Sequence, residues 1–260
     1  MIVEICCGNL ASVLAAKKGG ATRIELCSGL SEGGLTPSYG LIKAAVESGI
    51  PEVNVLIRPR PGDFLYSEEE IALMITDIKK AIEIGASGIV IGVLTAEGDV
   101  DVAACRRLIE AAQFAAEVHH KAKPHVTFHR AFDVSRDAKD SLEAVISLGV
   151  DSLLTSGMAA SAVKGIAMLK KLMSLANGRI IIMAGAGINP SNAADIIAAT
   201  GVTAIHSTAR KPVPSGMKFR RPVVPMGAPG SDEYAPLSTS PDLVAKLCAI
   251  NSEAGNICAK

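Results

Sequence analysis

Aromatic side chains are scarce: Phe, Tyr and Trp together make up 3% of the 260 residues, and Trp is missing. Any large core must therefore be aliphatic. Net charge is missing too. Lys and Arg number 26, Asp and Glu 26, and the formal charge is +0. That leaves no basic footprint for nucleic acid or for an anionic membrane surface. No apolar run approaches the length of a transmembrane helix. Among the six cysteines there is no CxxC and no regular spacing, so a cytoplasmic protein with reduced thiols is expected. The chain enters a strand at once with Met1-Ile-Val-Glu4, with no signal-peptide pattern. No GxGxxG follows that strand, and no organic cofactor is expected.

What is present is apolar and rhythmic. Hydrophobic residues make up 49% and mean hydropathy is +0.34, enough for a sizeable core. One pattern recurs: a helical stretch ends in glycine, a few residues follow, and an apolar strand begins. It stands at Gly20, Gly49, Gly85, Gly149 and Gly201, where glycine supplies a left-handed helix cap at little cost. Alternating helices and strands imply βα units and a parallel sheet.

Strands are expected near Ile2–Cys6, Arg23–Leu26, Val53–Ile57, Gly88–Val93, His125–Phe128, Ser152–Leu154, Arg179–Met183 and Ala204–His206. Ser67 with Glu70 spells a capping box, and Ile71, Ile75, Ile78 and Ile82 give the following helix one apolar stripe. Thr36-Pro37 and Asn189-Pro190 place a cap before a proline. Eight strands with helices between them predict a single (β/α)8 TIM barrel over residues 1–260; a doubly wound open sheet is the other topology considered. Residues 211–241 break the rhythm with seven prolines and no apolar period. They read as a long Pro/Gly-rich loop between strand eight and a last helix at Leu243–Asn251.

Barrel enzymes carry their chemistry at the C-terminal strand ends, and here those ends are polar. His125 to Asp133 runs as a strand and then gathers His129, Arg130 and Asp133 within five residues: an acid/base, an anion clamp and a carboxylate. Strand three runs into Arg58, Arg60 and Asp63, and strand eight into His206, Ser207 and Arg210. Glu4 and Glu25 sit inside strands between apolar neighbours, where an unpaired carboxylate is costly. Partners for both are expected among Arg58, Arg60 and Arg130. They serve either as structural ion pairs or as groups that position a polar substrate. The small residues of Ala184-Gly-Ala-Gly-Ile188, with Gly185 and Gly187, permit backbone N–H groups to approach an anion, or simply pack tightly.

Side-chain parity aligns Glu4 with Cys6 and Glu25 with Cys27, and the two strands are expected to be neighbours. Cys6 and Cys27 would then approach each other, either as a soft thiolate site suited to Cu(I) or as small buried apolar groups. Cys105 falls on a predicted helix, and Cys248 and Cys258 near the C-terminus.

Several long motifs point to one family. Ile24-Glu-Leu-Cys-Ser-Gly-Leu-Ser-Glu-Gly-Gly34 with Thr36-Pro-Ser38, Ile57-Arg-Pro-Arg60, Gly62-Asp-Phe-Leu-Tyr-Ser67, Thr127-Phe-His-Arg-Ala-Phe-Asp133, Leu154-Thr-Ser-Gly157 and Ser215-Gly-Met-Lys-Phe-Arg220 resemble the CutC copper homeostasis proteins. The resemblance implies a (β/α)8 barrel and a homo-oligomer. It places the protein in the cytoplasm and, for eukaryotic members, also in the nucleus. It also implies Cu(I) handling, with Cys6 and Cys27 matching the family's cysteines. Glu25, Arg58, Asp63, His129, Arg130, Asp133 and His206 match its polar mouth. One departure is Ser207-Thr208 after His206, where some relatives carry a further cysteine. The rival expectation is an enzyme acting on a small anionic metabolite, phosphorylated or not. In it Glu25 or His129 is the acid/base, Asp133 an orienting carboxylate, and Arg58, Arg60, Asp63, Arg130, Gly185, Gly187, His206 and Arg210 surround the ligand.

Overall fold

A computed structural model describes residues 1–224, 227, 232 and 234–255. Eight parallel strands close on themselves in sequence order. They are β1 (Ile2–Cys7), β2 (Arg23–Leu26), β3 (Glu52–Leu56), β4 (Gly88–Ile91), β5 (His125–Phe128), β6 (Ser152–Thr155), β7 (Ile181–Ala184) and β8 (Ala204–Ser207). Helices α1 (Leu10–Lys18), α2 (Tyr39–Glu47), α3 (Glu68–Ile84), α4 (Val102–Val118), α5 (Ala138–Ser147), α6 (Ile166–Ala176) and α7 (Ala193–Thr200) connect them, and α8 (Pro241–Gly255) follows. This is the TIM barrel that the rhythm predicts.

The five glycines at the helix-to-strand turns explain the regularity. Gly20, Gly49, Gly85, Gly149 and Gly201 all take positive φ, from +72° to +117°, a region that costs residues with a Cβ about 1–2 kcal/mol. The capping box forms as read: Ser67 Oγ accepts from Glu70 N–H and the Glu70 carboxylate accepts from Ser67 N–H. Two caps differ. Ser38 caps α2 and Asn192 precedes α7, so Pro37 and Pro190 lie in the turns before the caps, not in the first helical turn.

The two strand faces divide the core. Val3, Ile5 and Cys7 of β1 join an aliphatic layer between barrel and helices, with Ile24, Leu26, Val53, Val55, Met74 and Ile78. Glu4 and Cys6, of the opposite parity, face the barrel interior. That interior holds two small apolar clusters: Cys6, Cys27, Leu56 and Val90 on one side, and Leu154, Met183 and Ala204 on the other.

Closure pairs β8 with β1 and sets Glu4 opposite His206. The segment read as a loop over 211–241 is anchored at both ends by an antiparallel pair, β9 (Arg210–Pro212) with β10 (Leu237–Thr239). From there α8 returns against α1, where Val244 would lie 2.5 Å from a Cβ on Gly19. Cys258 lies outside the described residues.

Candidate functional site at the barrel mouth

Inward parity at the seam of β8, β1 and β2 collects a polar cluster in a buried setting. His206 Nδ1 lies 2.9 Å from Glu4 Oε1, and Asn54 Nδ2 donates to Glu4 Oε2 at 3.1 Å. On the other side of the ring, His206 Nε2 is 3.6 Å from Glu25 Oε2. The Cys6 thiol donates to that same oxygen at 3.2 Å, and Cys6 Sγ lies 3.7 Å from Cys27 Sγ. One chain of contacts thus runs Asn54, Glu4, His206, Glu25, Cys6, Cys27. The expected partners of the two carboxylates are replaced. Glu4 and Glu25 meet His206, Asn54 and Cys6 in place of Arg58, Arg60 and Arg130, because their strand positions lie below the loops that carry those arginines.

Charge in this chain is settled by competition. Burial pushes the Glu4 carboxyl up, but the hydrogen bond and charge of His206, with Asn54 and Arg23, outweigh it and hold Glu4 below its usual range. For Glu25, burial wins, aided by the charge of Glu4, and its carboxyl is raised. Burial alone would lower His206, yet the two carboxylates outweigh it and raise the imidazole. Cys6 is raised well above a normal thiol by its hydrogen bond with Cys27, by burial and by Glu25. The Glu4–His206 pair thus favours its charged form, while burial works against charge on Glu25 and on the Cys6 thiol.

The cluster forms one wall of a cavity of about 430 Å³ at the mouth. Cys6, Glu25 and His206 share it with Arg58, Phe64, His129, Arg130, Gly187, Ser207, Thr208 and Arg210. Cys27 stands behind Cys6 and is not on the wall. Arg60 and Asp63 also stand apart from it: Arg60 pairs with Asp63 at 3.0 Å and Glu70 at 2.6 Å on the outer loop. Gly185 packs a Cβ-less position against Leu154, with 2.6 Å to Leu154 Cδ1.

Two other expected residues carry much structure. Arg58 donates to the carbonyls of Glu32, Gly34 and Gly62 at 2.8, 2.8 and 3.0 Å, tying two loops together. The Asp133 carboxylate accepts from Arg130 Nε at 2.7 Å, Ser156 N–H at 3.0 Å, Ser156 Oγ at 2.8 Å, Met158 N–H at 3.1 Å and the Thr155 hydroxyl. It joins the loop after β5 to the loop after β6. His129 is buried against Phe64, ring centroids 5.0 Å apart. Burial, with the charge of Arg58, depresses it to about 3.

Sequence reasoning missed Asn54. Its signal was legible: a polar residue between Val53 and Val55, at the inward parity.

The architecture and the mouth define a TIM-barrel protein with a buried Cys–Glu–His cluster opening onto a ligand-sized cavity. The chain belongs to the CutC family, whose profile matches residues 1–211. A family protein CutC from Chromobacterium violaceum is 48% identical over 246 residues, covering 95% of this chain and 96% of that one. Another, from Parabacteroides distasonis, is 50% identical over 230 residues, covering 87% and 90%. Among solved structures, one described as a copper homeostasis protein CutC from Streptococcus agalactiae superposes with a TM-score of 0.73 at 36% identity, covering 80% of this chain and 98% of that one. A thiamine phosphate pyrophosphorylase from Pyrococcus furiosus shares the fold alone, at 17% identity, a TM-score of 0.55 and coverage of 97% and 96%.

Proposed function

We propose that this protein serves copper homeostasis by holding Cu(I) between Cys6 and Cys27, with Glu25 and His206 beside them. The observation that carries the reading is the 3.7 Å approach of two buried sulfurs, since paired thiols select a soft monovalent ion. The ligand atoms of Cys6, Glu25 and His206 lie within 4.8 Å of one another, so the thiol site adjoins two harder donors. Their role here is charge. Two thiolates around one Cu(I) carry a net charge of minus one, which protonation of His206 beside them offsets. The Cys6 thiol is raised by Cys27, burial and Glu25, so uptake as a thiolate releases its proton and strengthens as pH rises. The test is a Cu(I) titration against a chromophoric chelator under reducing conditions, comparing wild type with the Cys6→Ser, Cys27→Ser double variant. Loss of stoichiometric binding in the variant, with its melting temperature preserved, supports the site. Unchanged affinity contradicts it.

A second reading has its own observation. The cavity of about 430 Å³ far exceeds an ion and falls in the range of small-molecule sites. In this reading the mouth binds a small anionic metabolite. Arg130, Arg210 and the Gly187 turn meet the anion, and Glu25 with His206 exchange a proton. Burial raises Glu25, and the two neighbouring carboxylates raise His206, the kind of environmental tuning that acid–base groups receive. The observation favouring it is volume, and inorganic phosphate is its simplest probe: crystals grown with it should show density beside Arg130 or Arg210.

Assembly into a homo-oligomer belongs to the same proposal. Its support is the exposed apolar set Leu73, Phe114 and Val118 on α3 and α4, and sedimentation equilibrium tests it.

A further inference from the structure

The His129 ring is pinned in one protonation state and one orientation. Ala131 N–H donates to His129 Nδ1 at 3.1 Å, so Nδ1 is an acceptor and the proton sits on Nε2. The Nδ1–Cε1 edge packs where Gly92 has no side chain: a Cβ there would lie 2.4 Å from Cε1 and 2.5 Å from Nδ1. Phe64 packs against the ring at a tilt, and both residues belong to the cavity wall. Nε2–H is then the one ring N–H left over, in a residue that lines the cavity. It is buried, and it has no partner among the described residues. An orphaned buried donor is destabilising, and here it sits in a ring whose other nitrogen is already paired.

The geometry points to His129 as a fixed neutral hydrogen-bond donor for the carbonyl oxygen of a small anionic carbonyl compound. This rests on the metabolite reading above and assigns His129 a different task from acid or base. Its Nδ1 lone pair is taken, its Nε2 carries a proton, and burial keeps the imidazolium out of reach. A neutral imidazole so held polarises a carbonyl and stabilises negative charge developing on its oxygen. The anionic end of the ligand falls to Arg130 and Arg210 across the same cavity. Nε2 is covered at rest, so a neighbouring group must give way when the ligand enters.

The test uses the whole chain with 15N-labelled histidine. Long-range 1H–15N spectra should show His129 as the Nε2–H tautomer from about pH 5 to 8, with no titration. A ring protonated on Nδ1, or one titrating in that range, overturns the proposal without any ligand. Dihydroxyacetone phosphate is the carbonyl probe, and glycerol 3-phosphate is its match without a carbonyl. The first should shift the His129 Nε2–H resonance and the second should not. His129→Phe should weaken the carbonyl probe about tenfold and leave the other unchanged, while His129→Gln, which keeps an N–H near Nε2, should recover most of the loss. Equal binding of both probes to wild type and His129→Phe overturns the inference and leaves the metabolite reading standing. Failure of both probes and of inorganic phosphate to bind wild type overturns both.

Discussion

Glu4 and His206 stand opposite each other in the register that closes the barrel and hydrogen-bond at 2.9 Å. The first strand and the last are thereby joined by backbone pairing and by a buried charge pair, and the mouth chemistry is built on that junction.

The pair should make stability depend on pH in two directions. Glu4 is held low in the folded chain; its contribution is present above the unfolded carboxylate value and is lost as pH falls through the folded one. His206 is held high; its contribution is full below the unfolded imidazole value and is lost as pH rises through the folded one. Wild type should therefore be most stable between the two. Glu4→Gln strands an imidazole that was built to be charged, and should cost roughly 3–5 kcal/mol at pH 6. Urea unfolding across pH reads both effects. A flat difference between Glu4→Gln and wild type from acid to alkaline pH would refute the pairing.

Asp133 should behave as a structural hub. Its carboxylate satisfies two backbone N–H groups and three side chains across two loops. Asp133→Ala leaves those donors unpaired in a buried place and should cost about 3 kcal/mol or more. Thermal melts decide; a variant as stable as wild type would remove Asp133 from the scaffold and return it to the ligand.

Gly92 should be intolerant for a local reason. Gly92→Ala places a methyl 2.4 Å from His129 Cε1, so the ring or the strand end must move. The expected loss is about 1–3 kcal/mol. The His129 ring resonances should shift with it, and unchanged resonances would mean that the ring is not pinned there.

How much of this was legible in the sequence follows from the range of the forces involved. The strands were readable because glycine caps and apolar runs are local, and observed boundaries fall within two residues of those expected. Parity alone brought Cys6 to Cys27, because β1 and β2 are sequential neighbours. The partner of Glu4 was not readable. His206 lies 202 residues away, and only closure of the barrel fixes that register. Nor was the role of Arg58, whose Nη1 and Nη2 donate to loop carbonyls at Glu32, Gly34 and Gly62, since loop paths leave no periodic trace. Pro37 and Pro190 misled by two and three residues because Ser38 and Asn192, just beyond them, precede the helices.

The central claim is that Cys6 and Cys27 together hold Cu(I), and X-ray absorption of the Cu(I)-loaded protein tests it most directly. Two sulfur scatterers are expected around copper in wild type. One sulfur is expected in Cys27→Ser. A first shell of nitrogen and oxygen only, in wild-type protein carrying one Cu(I) per chain, would contradict the account.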